Sequence, residues 1–201
     1  MAELAQRQVG RYAVREAGPA DANGARSVML DTFYNVFGHG YRPRWHGDVI
    51  DMDRAYFSHP RQALFVAALN DEVVGTTAVR ADGPKSPPHA PWLAERYPSG
   101  STAQVFRVYI RPEHRRNGLA RELVDLACRF VARTPGYERI YLHTNVEIEG
   151  AEPFWRSIGT EIHDGRTDPA HSPAVHFEIP IPVSGDQQVS DLAMPAGHSI
   201  G

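Results

Sequence analysis

Apolar and polar residues follow short periodic runs along the N-terminal part of the chain, and each run predicts one element. Residues 11–17 alternate between apolar and polar and predict an edge strand. Apolar residues recur at helical spacing over 19–37 and predict a helix there. A second helix is expected over 47–58, and Pro60 would end it. This region therefore predicts a strand followed by two helices.

The clearest local pattern is a β-hairpin formed by the runs QALFVAAL and EVVGTTAVR. Both runs are rich in strand-forming residues, and they are joined by Asn70 and Asp71, residue types that accept turn geometry. Residues 81–102 are rich in proline and predict a long loop. Loops of this length in compact domains more often bind a ligand or close over a site, so a binding or lid element is expected here.

The second half of the chain alternates strands and helices. Strands are predicted over 103–111 and 139–144, with a helix over 117–133 between them. A short helix, GAEPFWRSIG, and two closing strands, TEIHD and AVHFEIPIP, follow. The order β, α, α, β, β, β, α, β, α, β, β predicts one mixed α/β domain.

The domain is expected to cover residues 11–183, after an N-terminal extension over 1–10 and before a flexible tail over 184–201. The 42% hydrophobic composition is typical of a soluble globular protein, and a net charge of −3 argues against nucleic-acid partners. Neither a membrane-spanning run nor a signal peptide is recognisable, so no membrane contact and a cytoplasmic location are expected. Cys128, the single cysteine, is expected to be a packed thiol.

The segment RPEHRRNGLARELV places positive charge where a strand leads into a helix. Asn117 is expected to cap a helix that starts at Gly118. The first amides of that helix lack intrahelical acceptors, and the small residues Gly118 and Ala120 would let an anion approach them. The guanidinium groups of Arg115, Arg116 and Arg121 suit phosphate oxygens. These features predict a pyrophosphate site, and a capped surface helix with solvated arginines is the alternative.

Residues 115–120 match the pattern Arg/Gln-x-x-Gly-x-Gly/Ala, and a predicted strand and a proline precede them. In both respects the segment resembles the signature of the GNAT superfamily of acyl-CoA-dependent N-acyltransferases. AEPFWRSIG resembles the second motif of the family, Ala-x-x-Phe/Leu-Tyr-x-x-x-Gly, at Ala151, Phe154 and Gly159. The resemblance extends from about residue 11 to 182. It implies a GNAT-like mixed, mostly antiparallel sheet with helices on both faces and a central splay between strands.

The resemblance also implies that acetyl-CoA is the co-substrate and that its acetyl group passes directly to a primary amine of a small molecule or protein. Its pantetheine arm would pair with backbone groups of Val108 and Ile110, and the Val108 N–H would stabilise the oxyanion. No metal is expected. The cofactor-binding set comprises Val108, Tyr109, Ile110, Arg115, Arg116, Asn117, Gly118, Leu119, Ala120, Arg121 and Asn145.

Two positions depart from the family. Gln104 replaces the glutamate that many members use as general base, and Trp155 replaces the tyrosine that many use as acid. Glu147 and His143 are the candidate catalytic residues that the sequence offers instead, and a water chain without a dedicated base is the alternative.

The predicted acceptor segment, residues 31–53, mixes aromatic residues with Asp48, Asp51 and Asp53, so the amine acceptor is expected to be cationic if these residues line its site. Solvated aspartates are the alternative. A non-catalytic acyl-CoA sensor, a transferase of longer acyl groups and a homodimer also stay open. His39, His46, His59 and His89 are expected to be solvated loop residues.

Overall fold

An eight-stranded sheet, in the order β1-β2-β3-β4-β5-β6-β8-β7, forms the centre of the computed structural model, which describes residues 4–145, 147–168 and 170–183. Only β5 and β6 pair in parallel, so the predicted mixed, mostly antiparallel sheet is confirmed. The strands are β1 (Arg7–Val9), β2 (Tyr12–Glu16), β3 (Ala63–Leu69), β4 (Glu72–Arg80), β5 (Thr102–Ile110), β6 (Arg139–Asn145), β7 (Thr160–Asp164) and β8 (Ala174–Ile179).

The helices cover both faces of this sheet. They are α1 (Ala22–Asn35), α2 (Gly47–Ile50), α3 (Pro91–Arg96), α4 (Leu119–Arg133) and α5 (Ala151–Arg156). The helix predicted over 47–58 is instead the single turn α2 and a wider turn over Asp53–Phe57. The break falls at Asp51, whose backbone leaves the helical region and whose side chain accepts a hydrogen bond from the Arg54 amide.

The N-terminal strand pair differs from the prediction. β1 lies within the residues predicted as an extension and pairs with β2, so β1 rather than β2 forms this edge of the sheet. Three residues are too few to show a period, which is why the sequence pattern did not reveal β1. The predicted tail over 184–201 lies outside the described residues.

The predicted hairpin of β3 and β4 is confirmed. Leu69 pairs with Glu72, and Asn70 and Asp71 between them have φ angles of 48° and 67°. Positive φ at both central residues is the geometry that matches the twist of the two strands.

Two apolar clusters, one on each face of the sheet, form most of the core. Successive residues of β3 alternate between them, as the pleat requires: Phe65 packs on the α4 side and Leu64 on the α1 side. Cys128 is buried on α4, as expected, and burial raises the pKa of its thiol to about 12. Among the described residues, none of the helices is long and apolar enough to cross a membrane.

Candidate active site

β5 and β6 separate after a short parallel ladder, and a cleft opens between them. The ladder joins Thr102–Gln104 to Arg139–Tyr141, and β5 continues beyond it without a partner on that side. The cleft has a volume of about 780 Å³ and extends from the start of α4 to the end of β4. The splay expected between these strands is therefore present.

A β-bulge at Arg107 accompanies the separation. The pairing of β4 with β5 shifts by one residue between Thr76 and Ala78, and Arg107, the extra residue, has a φ of +55°. Bulges bend a strand and are common beside functional sites. The bulge lies three residues after Gln104, the last residue of β5 that pairs with β6, so it falls where the cleft opens.

The exposed edge of β5 carries main-chain groups that face the cleft. The Arg111 amide donates to the Val74 carbonyl on β4, at 2.9 Å. Because the direction of main-chain groups alternates along a strand, the amides of Val108 and Ile110 point the other way, into the cleft. In agreement, the Ile110 carbonyl accepts a hydrogen bond from Arg115 Nε, at 3.1 Å. The side chain of Tyr109, by contrast, packs edge-on against aromatic rings from α1 and the loop after it.

The N-terminus of α4 lies at one end of the cleft with its first amides uncapped by any described side chain. The first helical amide to reach a carbonyl is that of Glu122, which donates to Gly118. Arg116 and Gly118 have φ angles of +62° and +75°, and left-handed residues in a turn direct backbone N–H groups into a concavity that suits anions. A Cβ atom at Gly118 would meet nothing within 4 Å, so the backbone is open to the cleft.

The expected cap by Asn117 is wrong. Its side-chain amide donates to the carbonyls of His114 and Arg115, and Gly118 itself is the N-cap residue. No described side chain, Asn117 included, accepts a hydrogen bond from the first amides of α4, so these amides remain available.

Other members of the predicted cofactor set reach the cleft in different ways. Arg115 and Arg116 are exposed at its rim. Arg121 donates to Ser157 Oγ at 2.9 Å, which ties α4 to the end of α5. Ala120 lines the cleft, whereas the Leu119 side chain is buried in the core and leaves only its backbone to a ligand.

Glu147, one of the two candidate bases, is exposed and does not line the cleft. Its amide donates to Asn145 Oδ1 at 3.0 Å, and Asn145 Nδ2 donates back to its carboxylate at 3.3 Å. Asn145 does line the cleft. Trp155 is buried in the core against Phe154. The turn at Asn145 therefore holds the Glu147 side chain outside the cleft. The buried indole of Trp155 offers no acid at its position.

His143, the other candidate, lies on the cleft wall beside the buried Gln104, whose Nε2 is 3.4 Å from His143 Nδ1. The residue is exposed, and the rings of His89, Tyr141 and His176 pack against its imidazole. This desolvation holds its pKa well below the ordinary value of histidine, and the neighbouring His89, His176 and Arg80 lower it further. The ring is therefore neutral near pH 7 and able to accept a proton.

A cluster of histidines lies behind His143, and no local sequence pattern predicts it. The His89 ring lies 4.6 Å from that of His143 and 4.9 Å from that of His176, and Tyr141 Oη is 2.7 Å from His176 Nδ1. The expectation that His89 and His46 are solvated is wrong, because they are 7% and 4% exposed. No group of metal-binding geometry is found among the described residues.

Asp48, Asp51 and Asp53 of the predicted acceptor segment do not line the cleft. Asp48 is paired with Arg107, at 2.7 and 3.0 Å, and accepts from Tyr56 Oη at 2.6 Å. Burial acts to raise the pKa of Asp48, but these bonds and the charge of Arg107 hold it below the ordinary value. Asp51 and Asp53 are exposed and bond to neighbouring residues of their own turns.

The expected lid over 81–102 is packed onto the sheet. α3 interrupts the segment, and Tyr97 is fully buried with its hydroxyl donating to Glu178 on β8. His89, from the same segment, belongs to the histidine cluster. These contacts make the segment part of the wall behind the cleft.

The model of the Acetyltransferase (GNAT) family matches residues 30–160. N-acetyltransferase 8 of Rattus norvegicus is 30% identical over 145 residues, which cover 69% of this chain and 60% of that protein. For N-acetyltransferase 8 of Homo sapiens the identity is 30% over 112 residues, 56% of this chain and 44% of that protein. The chain thus spans only about half of the length of these relatives.

Solved structures share the fold. A GNAT-family acetyltransferase from Staphylococcus aureus Mu50 superposes with a TM-score of 0.62 at 14% identity, covering 84% of this chain and 98% of that one. The GNAT domain of S. lividans PAT gives a TM-score of 0.60 at 18% identity, covering 89% and 95%. Both values support the same arrangement of the sheet and helices.

Proposed function

This chain belongs to the GNAT acetyltransferase family, and from that premise we propose that it transfers an acetyl group from acetyl-CoA to a primary amine by direct attack in a ternary complex. The observation that carries the proposal is the continuous cleft that joins the uncapped amides of α4 to the open edge of β5. One end suits a diphosphate and the other an extended amide-containing arm, which together match the co-substrate of the family.

Two parts of the chain hold the co-substrate in this proposal. The amides that open α4, with the guanidinium groups of Arg115 and Arg116, bind the pyrophosphate. The cleft-facing amides of Val108 and Ile110 bind the pantetheine arm as an added strand would, and Val108 donates to the thioester carbonyl. An amide donor placed at a developing oxyanion contributes roughly a hundredfold or more to the rate of acyl transfer.

His143 accepts the proton that the amine loses. The amine nitrogen bonds to the carbonyl carbon, the proton passes to the neutral imidazole, and the carbon–sulfur bond breaks to release the thiolate of CoA. A thiol of pKa about 8.5, as in cysteine, is a good leaving group near neutral pH, so the reaction does not depend on an acid at Trp155.

We expect His143→Gln to lower kcat/KM for an amine on the order of a hundredfold at pH 7, because general base catalysis contributes at least that much. Because the pKa of His143 is lowered, its imidazole should be neutral at pH 7 and above, so the deficit should persist across that range. Glu147→Gln is the matched comparison and should stay within threefold of wild type. A pH profile with the two results reversed would assign the base to Glu147.

The proposed function is tested by incubating the protein with acetyl-CoA and a panel of primary amines, with products identified by mass spectrometry. We expect an N-acetylated amine and an equal amount of free CoA. Acetyl-CoA binding without turnover of any amine would instead indicate a sensor. A parallel series with propionyl- and octanoyl-CoA tests the acyl chain, and turnover of octanoyl-CoA alone would contradict acetyl transfer.

A further inference from the structure

Arg80, at the acceptor end of the cleft, is a largely buried cation without a carboxylate partner among the described residues. Its neighbour Arg107 provides the contrast, because its guanidinium is neutralised by Asp48. Both guanidinium groups lie near the ring of Phe106, at 4.6 Å for Arg80 and 5.4 Å for Arg107. Two similar arginines therefore flank one ring, and only one of them is paired.

The side chain of Arg80 is held in a defined orientation. Its Nε donates to Gln104 Oε1 at 2.8 Å, and its guanidinium rests against Phe106. These contacts leave the two terminal nitrogens without a described acceptor while the side chain lines the cleft. A planar, oriented guanidinium with free terminal N–H groups is suited to bind a carboxylate through two hydrogen bonds.

The neutral side chain of Gln104 leaves the positive charge of Arg80 available to a ligand. A glutamate at this position would place a negative charge within 2.8 Å of Arg80 and neutralise it, whereas the amide oxygen of glutamine orients the guanidinium and leaves its charge intact. Burial lowers the pKa of Arg80. The charge of Asp82 raises this pKa, and the charge of Arg107 lowers it further. An unpaired buried charge is costly, so a ligand that supplies the missing anion would be bound strongly.

Arg80 lies too far from α4 to serve the pyrophosphate. It pairs with Gln104, whereas Arg115 bonds to Ile110, whose partner on β4 is Gly75, five residues from Arg80 and therefore roughly 17 Å away. His143 and Gln104, by contrast, are in contact. Arg80 is thus beside the candidate base, where the acceptor amine must bind.

We propose that Arg80 binds a carboxylate of the acceptor, so that the acceptor is an amino acid or another small amine with a carboxylate close to its amino group. This inference rests on the proposed acetyl transfer and specifies its substrate class. It also replaces the expectation of a cation-binding site, because the aspartates on which that expectation depended do not face the cleft.

The test compares kcat/KM for a series of amino acids with that for the matching amino acid amides, each corrected for the fraction of free amine. We expect the wild type to prefer the carboxylate by at least tenfold. Arg80→Gln should lower kcat/KM about a hundredfold for the amino acid and less than threefold for its amide, as expected for loss of a buried charge-assisted pair. Arg133→Gln, which removes the same charge from the exposed end of α4, should change neither.

Gln104→Glu is the second variant. It keeps the size of the side chain, so it still tests the inference if Arg80→Gln fails to fold. It should lower kcat/KM for the amino acid at least tenfold and leave that for the amide equal or higher. Equal losses on both substrates in either variant, or a wild-type preference for the amides, would overturn the inference while acetyl transfer stands. If no amine of any kind is acetylated, the proposed function and this inference both fall.

Discussion

Gly118→Asp is expected to weaken acetyl-CoA binding about a thousandfold, which corresponds to about 4 kcal/mol. The new carboxylate would stand at the N-terminus of α4, where Gly118 is open to the cleft and the amides are uncapped. It would repel the pyrophosphate and compete for the same N–H groups. Aspartate at this φ of +75° carries backbone strain of roughly 1–2 kcal/mol, which its favourable position at a helix N-terminus partly offsets, so the protein should stay folded.

Titration calorimetry with acetyl-CoA, combined with thermal unfolding, checks this expectation. Gly118→Ala is the control, since it carries the backbone cost of a left-handed residue, roughly 1–2 kcal/mol, without the charge. Its affinity should fall tenfold or less. Equal affinities for the two variants would show that the pyrophosphate does not bind at this helix.

The free energy of unfolding is expected to fall by roughly 4 kcal/mol between pH 7 and pH 5. Burial, then Arg107, lowers the pKa of His46 to about 4, and burial, then His89, lowers that of His176 to about 3. The unfolded chain binds protons at these residues below about pH 6.5, which the folded chain cannot do, so acid favours unfolding. Each residue contributes roughly 2 kcal/mol by pH 5, and His89 and His143 act in the same direction.

Urea denaturation at the two pH values measures this loss. His176→Phe should remove roughly 2 kcal/mol of the pH dependence, because the substituted ring stays neutral in both the folded and the unfolded chain. Carboxylates with lowered pKa values, such as Asp48, lose their stabilising contribution only below pH 5. They therefore do not contribute to the change in the free energy of unfolding between pH 7 and pH 5. A free energy of unfolding that does not change between pH 7 and pH 5 would contradict the burial of these histidines as neutral rings.

Local patterns in the sequence predicted the elements on which the proposed co-substrate site is built. The hairpin turn at Asn70 and Asp71 needs only those two residues to adopt positive φ, and the apolar face of α4 recurs at helical spacing. The uncapped turn at Gly118 was also recognisable, although the role given to Asn117 was wrong. A glycine that takes the left-handed conformation replaces a side-chain cap, and the residue type alone does not reveal which of the two occurs.

The proposed acceptor end of the cleft could not be predicted in the same way, because its residues come from distant parts of the chain. His89 and His176 are brought together by the packing of a loop onto β8, and Arg80 and Gln104 by the pairing of β4 with β5. The bulge at Arg107 has no sequence signal, since arginine rarely adopts positive φ. Gln104 was recognised as a lost base, but its effect on Arg80 required the structure.

The buried position of Cys128 has a practical consequence for studying the reaction. Because its thiol has a pKa of about 12 and is the only one in the chain, almost no protein thiolate exists at neutral pH. Chromogenic disulfide reagents added during turnover should therefore report only the sulfhydryl groups liberated from the thioester. Progress curves can then be followed continuously, with no correction for labelling of the polypeptide.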